Sequence, residues 1–62
     1  MLVKRLKEAR VRAGLTQYKL GLLAGMEETT SSARMNQYEK GKHQPDQATA
    51  SRIAQALGLP LA

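Results

Sequence analysis

Four glycines do most to limit what this chain can fold into. Gly14, Gly25, Gly41 and Gly58 each follow a short segment with helical spacing of apolar residues, and a residue without a Cβ closes a helix by taking the left-handed backbone that other residues avoid. The first segment carries Leu2, Leu6, Ala9 and Ala13 at i, i+4, i+7 and i+11, with Lys4, Arg5, Lys7, Glu8 and Arg12 mostly between them. This spacing predicts an amphipathic helix that stops near Ala13, with Arg10 and Arg12 in the last turn, where the helix dipole favours positive charge. Thr16 is placed to cap a second helix over Gln17 to Ala24. Gly21 inside that helix costs about 1 kcal/mol against alanine, which reads either as a close backbone approach by another helix or as simple tolerance. Glu27 to Ser32 is polar and rich in capping residues, and it leads into a third helix over Ala33 to Lys40 with Met35 and Tyr38 inward. Its first residue is open between Glu27, Thr30 and Ser31. After a loop of Lys42, His43, Gln44 and Pro45, Asp46 can cap a fourth helix from Gln47 to Leu57 with Ala50, Ile53, Ala54 and Leu57 inward. The expectation is an all-α fold of four helices forming one domain over residues 1–62.

A chain of 62 residues holds one small core. Its lack of cysteine removes disulfides and thiolate metal sites as supports and points to a reducing, cytoplasmic setting. No apolar run is long enough for a signal or membrane-spanning helix. Ten Lys and Arg against five Asp and Glu give a net charge of +5. That balance favours a polyanionic partner, with nucleic acid ahead of an anionic membrane; the plain alternative is a solvated surface with a chance excess of lysine. Catalysis finds no support. His43 has only Asp46 nearby, too few ligands for a metal, and Ser31, His43 and Asp46 would lack a water-excluding pocket. No cofactor, metal or small-molecule substrate is expected.

The run Lys7-Glu8-Ala9-Arg10, then Gly14-Leu15-Thr16-Gln17, Leu20, Leu23-Ala24-Gly25, Tyr38-Glu39-Lys40-Gly41-Lys42, Pro45 and Ile53-Ala54-Gln55-Ala56-Leu57-Gly58 spans nearly the whole chain. It resembles the Xre-type regulators, relatives of phage repressors and Cro, whose helix-turn-helix places a recognition helix in the major groove of DNA. The resemblance implies a sequence-specific regulator of bacterial or phage origin, acting as a repressor on double-stranded DNA as a homodimer over a two-fold operator. It implies that Gln17 holds the DNA backbone and braces the recognition helix, and that Arg10 and Glu39 form an ion pair between helices 1 and 3. The free N–H groups at the start of helix 2 also suit a phosphate. With Met35 and Tyr38 inward, the opposite face of helix 3 presents Ser32, Ala33, Asn36 and Gln37, the residues expected to read bases. The amides of Asn36 and Gln37 suit adenine, Ser32 can donate or accept, and Ala33 suits a thymine methyl. Arg34, Lys40, Lys42 and His43 lie at the edges, where cations meet phosphate.

The sequence departs from the family pattern between Gly25 and Glu39, which is longer by about four residues, close to one helical turn. Either the turn has become a loop or helix 3 has gained a turn at its start. The chain also stops where relatives carry a fifth helix, leaving Leu59 and Leu61 to cover the core or meet a partner. Two rivals remain: an antitoxin-like protein-interaction module on the same fold, and a cationic peptide at membranes, which the few basic residues of helices 2 and 4 disfavour.

Overall fold

The helix ends follow the glycines. The computed structural model describes residues 3–59, with side chains from residue 5 onward. It contains α1 (Val3–Arg12), α2 (Gln17–Leu23), α3 (Ser31–Glu39) and α4 (Gln47–Leu57), with no strand among the described residues. All four helices end in one hydrogen-bond pattern. The N–H groups of Gly14, Gly25, Gly41 and Gly58 donate to the carbonyls of Val11, Leu22, Tyr38 and Gln55, and the next residues, Leu15, Met26, Lys42 and Leu59, donate to Arg10, Gly21, Gln37 and Ala54. This double closure requires a left-handed residue at the glycine, and all four have φ between 70 and 88°. At the first and second ends it also turns an apolar residue back to the core, half-burying Leu15 and burying Met26.

The N-termini differ from one another. Thr16 accepts from the Lys19 N–H at 3.0 Å and Asp46 from the Thr49 N–H at 2.7 Å, each with extended backbone, so both expected caps are present. α3 starts at Ser31 behind Thr30, which makes no side-chain cap. A tight turn brings the chain in instead: the Thr30 and Ser31 N–H groups donate to the Glu27 carbonyl at 3.2 and 2.9 Å. The residues added between Gly25 and Glu39 therefore form a loop, and α3 has not gained a turn. One further detail departs from the periodicity: α1 ends at Arg12, and Ala13 lies in the turn, exposed. Leu2 and Leu61 lie outside the described residues, and so would any remnant of a fifth helix after Leu59.

Leu6, Leu20, Ala24, Met26, Met35, Tyr38 and Ile53 form the core, with Leu15, Ala56 and Leu57 packed against it. Leu20, Met35 and Ile53 come one from each of three helices and are wholly buried, each contributing about 1.5–3 kcal/mol by removal from water. α3 packs most extensively on α2, and Gly21 shows why. A Cβ there would lie 1.9 Å from Ser31 Oγ, 2.9 Å from Ser31 Cβ and 3.0 Å from the Ser31 carbonyl. The glycine is thus a seat for the start of α3, and the close-approach reading of Gly21 is the correct one. Ser31, fully buried, satisfies its hydroxyl by donating to the Tyr18 carbonyl at 2.6 Å.

Candidate nucleic-acid interface

Ser31, Met35 and Tyr38 recur at i, i+4 and i+7 and define the buried side of α3. At about 100° per residue, the line opposite them falls beside Ala33, with Gln37 about 50° further round. Both are exposed, as are Ser32 to one side and Arg34 to the other, while Lys40 follows the helix end and is exposed too. Asn36 is half-buried, between the outward line and the flank that carries Glu39. The four residues expected to read bases thus share one broad face, with Asn36 the most enclosed.

The flank of α3 toward α1 and α2 is tied down. Arg10 donates from Nε to Glu39 Oε2 at 2.5 Å and from Nη2 to Oε1 at 3.2 Å, and a third bond from Nη1 reaches the Leu15 carbonyl at 2.9 Å. The pair is almost out of solvent, with side-chain exposures of 11% for Arg10 and 4% for Glu39. Gln17, the first residue of α2, donates from Nε2 to Glu39 Oε1 and to Asn36 Oδ1, both at 3.1 Å. Four side chains from three helices therefore form one network behind the outward face.

The flank toward α4 is open. Arg34, Gln37, Tyr38, His43, Gln44 and Asp46 line a shallow notch in which Arg34 Nη2 donates to the Tyr38 hydroxyl at 3.1 Å. Lys42 and His43 are exposed in the following turn. Asp46 brings a negative charge to this notch. The Thr49 backbone N–H it accepts, then the Thr49 side chain, and the charges of Arg52 and Arg34 hold its carboxyl below the usual aspartate value. His43 thus shares the notch with Arg34, whereas Lys40 and Lys42 follow the end of α3 and Gln17 stands apart on the tied flank.

Arg52 and Ser31 are structural residues whose partners the sequence reading did not name. Arg52 on α4 donates from Nε to the Ala24 carbonyl at 2.7 Å and from Nη2 to Thr49 Oγ1 at 3.1 Å, so it joins α4 to the end of α2. Its Nε would lie 3.3 Å from a Cβ at Gly25. Nothing in the spacing of Arg52 distinguishes it from a solvated arginine; the small residue needed opposite Gly21 was the one available hint for Ser31. Among the described residues no group of three or more His, Cys, Asp or Glu could hold a metal ion, and no helix is long and apolar enough to cross a membrane.

The family model described as "Helix-turn-helix" matches residues 6–62. The crystal structure of the transcriptional regulator BswR is similar, with a TM-score of 0.90 and 52% sequence identity over 97% of this chain and 59% of that one. The chain thus spans less than two thirds of the length of BswR. No curated protein gives a significant match. The matched model, the four-helix order and the two short helices joined through Gly25 agree: the chain belongs to the Xre/Cro-type helix-turn-helix family.

Proposed function

We propose that this chain binds double-stranded DNA sequence-specifically as a transcriptional regulator, acting as a repressor, with α3 in the major groove. The observation that carries this reading is the contrast across α3. Its outward face, Ser32, Ala33 and Gln37, is exposed and polar or small, while the side behind it is held by a buried ion pair and an amide bridge. A helix held rigidly from behind and bare in front suits base reading, and Arg34, Lys40, Lys42 and His43 suit the flanking phosphates. Membership of the helix-turn-helix family and the regulator title of BswR support the same reading. The working form we propose is a homodimer on a two-fold operator, which the exposed Leu23 and Leu59 favour by offering apolar surface for a protein contact. The same leucines favour the antitoxin-like alternative, which predicts weak salt dependence of any DNA affinity.

Selection of bound sequences from a random duplex pool tests the proposal. The protein should enrich a defined site, and Gln37→Ala should lose about 1–3 kcal/mol of discrimination at one or two base pairs. An unchanged preference in Gln37→Ala would remove that residue from the groove.

A further inference from the structure

The hydrogen bonds behind α3 have a direction, and Glu39 sets it. A carboxylate only accepts, and Arg10 already donates to both oxygens of Glu39. The Gln17 atom 3.1 Å from Glu39 Oε1 must then be the amide nitrogen. That same nitrogen lies 3.1 Å from the Asn36 amide, so the Asn36 atom facing it must be the oxygen, Oδ1. An amide nitrogen carries two hydrogens, and both of those on Gln17 are used. The Gln17 side chain keeps only its carbonyl oxygen for an outside partner, and an oxygen repels a phosphate. Asn36, with Oδ1 held toward Gln17, keeps both hydrogens of Nδ2, which donate to no protein atom among the described residues.

We propose that Glu39 acts through Gln17 as a positioning element that fixes the polarity of the Asn36 amide, so that Asn36 meets DNA as a donor to a base-edge acceptor. In this arrangement the Gln17 side chain is a brace and not a phosphate ligand. The inference rests on the DNA-binding reading above. An asparagine free to turn its amide end for end offers either a donor or an acceptor and tolerates more than one base edge. Held in one orientation it favours purine N7, guanine O6 or thymine O4 over the donor N4 of cytosine.

Two measurements test it. In the free wild-type protein, side-chain amide hydrogen exchange by NMR should show both Gln17 Nε2 hydrogens protected and the Asn36 Nδ2 hydrogens unprotected; the reverse pattern overturns the proposal. In sequence selection, Asn36→Ala should flatten the preference at one base pair by about tenfold. Gln17→Met, which leaves the Arg10–Glu39 pair in place, should flatten the same base pair, and Gln17→Lys, which can only donate to Oδ1, should restore it. An intact preference there in Gln17→Met overturns the inference. So does a methylphosphonate scan in which one phosphate matters to the wild type and ceases to matter in Gln17→Met, because Gln17 would then grip that phosphate. Enrichment of no sequence by the wild type defeats the DNA-binding reading itself, a different outcome from either of these.

Discussion

The two flanks of α3 are built on opposite plans. Toward α1 and α2, the polar groups of Arg10, Gln17 and Glu39 are largely committed to one another, and the pair at its centre is nearly dry. Toward α4, Arg34 makes a single bond to the Tyr38 hydroxyl, and Lys42 and His43 stand in solvent. The difference separates posture from contact. Groups that fix where a helix lies must be satisfied inside the protein, whereas groups meant for an external anion must be left available.

The comparison breaks most readily at Glu39. Glu39→Ala leaves the Arg10 guanidinium without its carboxylate and should cost about 3–5 kcal/mol. A core of this size rarely supplies more than about 3–5 kcal/mol in total, so the variant should be largely unfolded at room temperature by circular dichroism. A wild-type urea midpoint would mean that the tied flank does not hold α3.

Next in size is the seat of α3 on α2. Gly21→Ala should destabilise by about 1–3 kcal/mol through overpacking. The helix-propensity gain of about 1 kcal/mol only partly offsets this, because the added Cβ meets the Ser31 side chain and backbone together. Adding Ser31→Gly to Gly21→Ala should recover part of the loss in a denaturation series; a loss unchanged by the second substitution would place the strain elsewhere.

The open flank should respond in binding and not in stability. Lys42→Ala is expected to stay within about 0.5 kcal/mol of wild type in folding and to lower the slope of log affinity against log salt by about one unit. An unaltered slope would take Lys42 off the phosphate side.

The smallest effect lies at Asp46. Its folded pKa is depressed, chiefly by the Thr49 backbone N–H, so the ionised cap stabilises the fold at pH above its unfolded value. That contribution is lost as pH falls through the lower folded value. The melting temperature of the wild type should therefore fall more steeply below the usual aspartate range than that of Asp46→Asn, which still caps but cannot titrate there. Parallel curves would remove the charge from the account.

Particular residues show how much could be read in advance. Thr16 and Asp46 as caps, the four glycine stops and the inward pair Met35 and Tyr38 are local features, set by a side chain and the backbone within a few residues of it, and the fold follows them. The resemblance placed Arg10 opposite Glu39, although 29 residues separate them in the chain. Ser31 was legible only as a capping residue, because its burial depends on where α2 lies. Arg52 was not legible at all, since its partner is the carbonyl of Ala24, and a backbone oxygen leaves no mark in a sequence.

By itself, then, the sequence determined four helices, the glycines that close them, the side of α3 that is buried and the excess of positive charge. Tertiary structure alone decided that the residues added after Gly25 form a loop, because helix and loop are locally both open to Glu27–Thr30, and α3 can begin only where Ser31 fits over Gly21. It also decided that both Gln17 N–H groups point inward. A glutamine at the start of a helix can turn either way, and only a carboxylate brought in from another helix, at 3.1 Å, chooses for it.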